Sequence, residues 1–370
     1  MKIAVIKLGA RITWETDAAV GPGEAISICK ALTKGGAEVH VYTKILPKDT
    51  LDPSITWHNI LEDHMTTGAM DALVVINGNV NFFGGAEDTA QILNYKLLNN
   101  FHGRVFYVMC DPELPLLQIW PSVQKKPWGA KYTEAELNIT RTDIVLLSQP
   151  TDLHKIAFRW NKKTNIALGG IQHFPFERFP LLNEMMEPTK EPLIDLMYGG
   201  TTRGGRRVPN LFKWYWNHPD DIRVEVFGKI DRDDFIRHST LTEDKPPKFS
   251  GMVKYCDVLP KMNTALAHLV TGDPLYEQIN IIPQRTYECL AAGNVVFVDA
   301  SMDTNRRIWN DSNPEVQQFL YVKTRQELTD RIRALKADHD LRMYMLVEQF
   351  ALTKFDATDF CKSLVKTLET

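Results

Sequence analysis

Apolar residues along this chain fall in short blocks bounded by glycine, proline or polar residues, and such blocks predict buried β-strands. In the first half they occupy positions 2–7, 38–43, 71–76, 104–110 and 143–147. In the second half they occupy 193–198, 223–227, 265–270 and 295–298. Helical periodicity predicts helices over 25–32, 86–99, 152–158, 210–216 and 283–291, and a mostly helical chain from Gln326 onward. Gly35-Gly36 stops the first of these helices and Gly293-Asn294 the fifth. Strand, helix and strand in alternation predict an α/β fold with parallel sheets. The prolines and mixed charge of Glu184–Pro192 predict a linker. The expected domains are therefore 1–185 and 192–340, joined by 186–191. Helices within 341–370 are expected to pack back on the first domain. Two such domains imply a cleft between them.

Composition narrows the function classes. The chain has 370 residues, enough for two cores, with 44% hydrophobic and 24% charged residues. A net charge of −3 gives no global argument for a nucleic-acid partner, so any such contact must come from a local basic face. The five cysteines (Cys29, Cys110, Cys256, Cys289, Cys361) have no metal-ligand spacing and read as reduced thiols of a cytosolic protein. No apolar run approaches the roughly 18 residues of a membrane span.

The richest stretch for chemistry is Met197–Arg207, with four glycines and three arginines. Glycine lets backbone N–H groups approach a ligand, and a helix N-terminus carries partial positive charge. Arg203 and Arg207 would lie one turn apart on a helix, aimed at one anion. Two readings stand: a pyrophosphate cradle, or a solvated basic loop. Arg285 and Glu288, three residues apart on a predicted helix, form either a phosphate-and-ribose pair or an intrahelical ion pair. Gly228 and Asp273 follow predicted strands in the same half. In open α/β sheets ligands bind beyond the carboxyl ends of strands. That rule makes Asp111 and the Asn77–Gly85 loop candidates in the first half. Asp111 is either a general base or a turn-capping residue. Glu24 at a helix start reads first as a helix-stabilising carboxylate. Phe82 and Phe83 are either core anchors of their loop or a wedge into a base stack. Lys125, Lys126, Lys131 and Arg104 are the local basic candidates for DNA contact. His154, His173 and His268 form no metal set.

Taken together, these pieces resemble a known family. Met1–Ile6, Val74–Asn77 with Asn81–Gly85, Asp111, Leu114-Pro115, Trp120-Pro121, Pro127-Trp128 and Tyr132–Glu134 match in order and spacing. So do Tyr198–Gly200, Arg203, Gly205, Arg207, Phe227-Gly228, Gly251, Gly272-Asp273, Tyr276, Arg285, Glu288 and Arg307-Ile308. The chain resembles the DNA β-glucosyltransferase family of T-even bacteriophages. The resemblance implies the GT-B fold, two Rossmann-like parallel-sheet domains facing a central cleft. It implies inverting transfer of a sugar from a UDP-sugar donor to the hydroxymethyl group of 5-hydroxymethylcytosine in double-stranded DNA, with the base flipped out. The implied enzyme is a monomer in the cytoplasm of the infected bacterial host, with no membrane partner.

By the same resemblance Asp111 is the general base and Glu24 a carboxylate near the donor sugar. Arg203, Arg207 and Arg285 hold the diphosphate, and Glu288 the ribose. Val20, Gly200, Thr201, Phe227, Gly228, Val253, Tyr255, Asp273 and Tyr276 complete the donor site, while Asn81, Phe82 and Phe83 belong to the DNA-facing loop. A divalent cation, Mg or Mn, is a candidate through the diphosphate. The chain departs from the family pattern at Gly21-Pro22-Gly23, at Pro112 and Glu113 after Asp111, at Thr202 and at Tyr255. These departures keep open a pentose donor such as UDP-arabinose beside UDP-glucose. A GT-B enzyme acting on a non-DNA acceptor is the further alternative.

Overall fold

The computed structural model describes residues 1–6, 22–43, 53–59, 63, 68–76, 101–109, 144–147, 171–173, 176–182, 185–202, 207–230, 245–272, 276, 282–309, 313–353 and 355–369. The chain divides into two compact units. One is built chiefly from the residues up to Phe179 together with Asp356–Thr370, and the other from Pro180–Phe355. The C-terminal segment is therefore split. The helix His339–Thr353 lies in the second unit, and only the helix Ala357–Glu369 lies in the first. The reason is packing: His339–Thr353 lies on a strand of the second unit, while Ala357–Glu369 covers the helix Pro22–Lys34. Gly35 makes the latter contact close, because a side chain there would meet the Cys361 carbonyl and Val365.

The first unit holds one seven-stranded sheet. Its strands are β1 (Lys2–Ile6), β2 (Glu38–Thr43), β3 (Ile55–Asn59), β4 (Ala72–Ile76), β5 (Arg104–Met109), β6 (Ile144–Leu147) and β7 (Ile171–His173). They lie in the order β3-β2-β1-β4-β5-β6-β7, all neighbours parallel. Ile3–Ile6 and Ala72–Ile76 are buried throughout, as continuous apolar strands covered on both faces must be. The strand order reverses between β1 and β4. β4 ends directly before Asn77, and β5 ends at Met109, two residues before Asp111. Glu24 falls in the first turn of the helix Pro22–Lys34.

The second unit holds six parallel strands in the order β10-β9-β8-β11-β12-β13. These are β8 (Ile194–Thr201), β9 (Val224–Lys229), β10 (Lys248–Phe249), β11 (Ala265–Val270), β12 (Val295–Asp299) and β13 (Tyr321–Val322). β11 and β12 are fully buried. β8 changes the reading of the glycine-rich stretch, because the strand runs on through Gly199, Gly200 and Thr201 instead of ending before them. The ring of Phe227 fills the space beside Gly199, and that of Tyr198 the space beside Gly200. The helix then begins at Val208, not within the glycines, with Arg207 immediately before it. Arg207 therefore stands just ahead of the helix, and Arg203 lies outside the described residues. Short elements without a continuous apolar run also appear: β3, β7, β10, β13 and the helices Val258–Asn263 and Pro314–Leu320.

Candidate functional site

The second unit carries most of the described candidates, at the carboxyl ends of β8, β9 and β11. β8 and β9 pair in register as far as Gly200 opposite Gly228 and Thr201 opposite Lys229. Gly228 has φ +118°, and the Gly200 carbonyl fills the space its Cβ would need. Only glycine fits there, and the two backbones touch. The Gly228 N–H donates to the Gly251 carbonyl at 2.6 Å, which anchors the next loop. Val253 is half-buried on that loop, and Tyr255 opens a 3-10 turn at 255–257.

The helix Val208–Tyr215 is fixed against the strand ends by side chains. Trp214 Nε1 and Lys213 Nζ donate to the buried Asp299 carboxylate at 2.6 and 3.0 Å, at the end of β12. Tyr215 donates its hydroxyl to the Leu269 carbonyl at 3.0 Å, and Asn210 Nδ2 donates to the Gly272 carbonyl at 2.9 Å. These bonds set where Arg207, just before the helix, must lie. Arg207 Nη1 donates to the Tyr198 hydroxyl at 3.4 Å and to the Thr201 carbonyl at 3.5 Å. The guanidinium stands 6.0 Å from the centroid of the buried Tyr276 ring. Its Nε is buried without a hydrogen-bond partner. An arginine with donors left over beside a glycine-lined strand end suits an anion.

Arg285 and Glu288 open the helix Arg285–Ala291 and pair with each other, Nη1 to Oε2 at 2.6 Å. Arg285 Nη1 also lies 3.5 Å from Met262 Sδ. The side chains are 30% and 15% exposed, so both reach solvent from the helix start. Behind them sits a neutral core. Burial lowers the pKa of His268 to about 4, and burial pushes the Cys289 thiol up, so neither carries charge at neutral pH. Among the cysteines, Cys29, Cys289 and Cys361 are buried and Cys256 is exposed.

Several candidates lie outside the described residues: Val20, Arg203 and Asp273 of the donor set, Asp111, and Asn81, Phe82, Phe83, Lys125 and Lys126 of the DNA set. The side chains of Glu24 and Tyr255 lie outside them too. Among the described residues no group of three or more His, Cys, Asp or Glu is placed to hold a metal ion, and no helix is long and apolar enough to cross a membrane. Tyr198 is a neighbour of Arg207 to which the sequence alone assigns no role, although it opens the matching Tyr198–Gly200 stretch two residues before Gly200 on the same face of β8.

Two parallel-sheet α/β units, with glycines and an arginine gathered at strand ends of the second, have the architecture of GT-B glycosyltransferases. The family model for Bacteriophage T4 beta-glucosyltransferase matches residues 1–180. The DNA beta-glucosyltransferase of Enterobacteria phage T4 is 31% identical over 350 residues, covering 94% of this chain and 92% of the relative. T4 phage BGT in complex with UDP and Mn2+ superposes with a TM-score of 0.76 at 26% identity, and both chains are covered completely. A mutant of T4 phage BGT in complex with UDP-glucose gives 0.75 at 26% identity, again with complete coverage of both. The chain belongs to the bacteriophage T4 β-glucosyltransferase family.

Proposed function

We propose that this chain transfers a sugar from a UDP-sugar, glucose in the first instance, to the hydroxymethyl group of 5-hydroxymethylcytosine in duplex DNA of the infected host. The observation that carries the donor half is Arg207, tied by Nη1 to the end of β8 while Nε has no partner. The likeness to a phage DNA beta-glucosyltransferase over nearly the whole chain supports the acceptor half.

In this reading Arg203, Arg207 and Arg285 hold the diphosphate, and charge developing on the departing UDP is stabilised by them. Glu288 exchanges its bond with Arg285 for the ribose hydroxyls. Gly200, Thr201, Phe227, Gly228, Val253, Tyr255, Asp273 and Tyr276 line the donor. Asp111 accepts the proton of the acceptor hydroxyl as that oxygen attacks the anomeric carbon, and UDP leaves from the opposite face with inversion. Glu24 and Val20 lie near the sugar. The hydroxymethyl group reaches a bound sugar only when its base leaves the stack, and Asn81, Phe82 and Phe83 serve that step. A divalent cation, Mg or Mn, belongs to this reading as a partner of the diphosphate, since T4 phage BGT is solved in complex with UDP and Mn2+.

The departures at Gly21-Pro22-Gly23 and at Pro112 and Glu113 favour testing a pentose donor alongside glucose. Mass spectrometry of hydroxymethylated and plain duplex DNA, incubated with UDP-glucose or UDP-arabinose, reads acceptor, reaction and sugar together. Addition of a hexose to hydroxymethylated DNA alone is the expected result. A pentose adduct would change the sugar and keep the reaction. No adduct with either donor would overturn the reading.

A further inference from the structure

We propose that Tyr198 is a positioning residue for the donor diphosphate, its hydroxyl holding one edge of the Arg207 guanidinium so that the opposite edge faces the anion. The proposal rests on the donor reading given above. A guanidinium offers a two-donor fork on the edge formed by Nε–H and the Nη2–H beside it. Nη1 lies on the other side, toward Cδ. In this structure the protein takes only Nη1, through the Tyr198 hydroxyl at 3.4 Å and the Thr201 carbonyl at 3.5 Å. Among the described residues, neither Nε nor Nη2 has a partner, and Nε is buried. A buried donor without a partner is costly, and that cost is relieved when an anion is bound bidentately.

Tyr198 is well placed for this task. It is 5% exposed and cannot swing freely. Its ring packs edge-on against Tyr215 at 5.5 Å, and Tyr215 is itself bonded to the Leu269 carbonyl. On the other side the ring and hydroxyl of Tyr198 fill the space beside Gly200, so the absence of a side chain at 200 is what lets the hydroxyl sit under Arg207. The Tyr276 ring stands by the guanidinium as well. The arginine is thus oriented by the protein's own contacts, and such preorganisation lowers the ordering cost of binding.

The test is titration of the full-length protein with UDP and with uridine, using wild type, Tyr198→Phe, Arg207→Ala and the double variant. Tyr198→Phe removes one hydroxyl and keeps the ring packing. It is expected to weaken UDP about fivefold, the value of one hydrogen bond. Uridine, which lacks the diphosphate, is expected to bind wild type and Tyr198→Phe alike. In the Arg207→Ala background the Tyr198 change is expected to add nothing. Unchanged UDP affinity in Tyr198→Phe overturns the proposal. So does an equal loss for uridine, or the same loss without Arg207, since a merely structural role predicts both. A wild-type protein that binds no UDP would instead overturn the donor reading, and that result is seen before any variant is compared.

Discussion

The carbonyl oxygen of Gly200 occupies the space that a Cβ on residue 228 would need, and Gly228 adopts a φ of +118°. The two glycines on neighbouring strands therefore act as one unit. Gly228→Ala would both strain the backbone and push β9 away from β8. We expect a loss of well over about 1 kcal/mol in stability together with loss of UDP binding. Chemical denaturation and calorimetric titration measure the two. Wild-type UDP affinity in this variant would separate the glycine pair from the donor site.

Glu288 pairs with Arg285 at 2.6 Å, and in the proposed donor site that contact is redistributed on binding. If Glu288 accepts the ribose hydroxyls, Glu288→Gln weakens UDP by about 1.5 kcal/mol, on the order of tenfold. The same change should affect 2′-deoxy-UDP much less. Equal losses for the two nucleotides would remove Glu288 from the ribose and leave it as an intrahelical partner of Arg285.

Asp111 follows the end of β5 by two residues, where a parallel sheet offers its ligand-binding edge. Asp111→Ala is expected to slow transfer by about 10² to 10⁴-fold while leaving UDP affinity nearly unchanged. Single-turnover assays on hydroxymethylated DNA read the first quantity and titration the second. Transfer at the wild-type rate is the outcome that excludes it as the base.

His268 supplies a pH dependence unrelated to catalysis. Burial holds its pKa at about 4, against an ordinary value of 6.5. Between these values the unfolded chain binds the proton and the folded chain does not. Stability is therefore full above about pH 6.5 and is lost as pH falls toward 4, by roughly 1.4 kcal/mol per pH unit. His218 is lowered by burial too and adds to the loss that begins below about pH 6.5. Asp221, held at about 2 by Arg333, acts only at lower pH. Denaturation midpoints between pH 7.5 and 5 should fall for wild type and flatten in His268→Gln, with a remainder from His218. An unchanged slope in that variant would place the proton uptake elsewhere.

DNA contact through Lys125 and Lys126 predicts a salt dependence despite the acidic net charge. Replacing both with Ala should reduce the slope of log affinity against log salt by about 2. Fluorescence anisotropy with a hydroxymethylated duplex checks it, and an unaltered slope would move the basic face to other residues.

The parallel strands are legible in the sequence because burial on both faces demands unbroken apolar runs, as at Ala72–Ile76 and Ala265–Val270. β3 escapes notice because Ile55–Asn59 is partly exposed and polar. β10 and β13 are too short to show a pattern. Gly199 and Gly200 suggest a loop, since glycine weakens strands, yet they stay in β8 because aromatic rings from Phe227 and Tyr198 fill the space of the missing side chains. Arg207 is legible as a candidate anion ligand by residue type. Which edge of its guanidinium remains open depends on Tyr198 and Thr201, and that is a property of strand geometry, not of spacing.

The helix Ala357–Glu369 belongs to the unit that begins with β1, and its residues Cys361, Leu364, Val365 and Leu368 are buried. During translation the first sheet is finished when residue 173 emerges, but the part of Pro22–Lys34 that Ala357–Glu369 covers waits for that helix until residues 357–369 have been made. The second unit is synthesised in the meantime. A nascent chain thus lacks this contact for most of its synthesis, and a truncated product ending near residue 180 would lack it permanently.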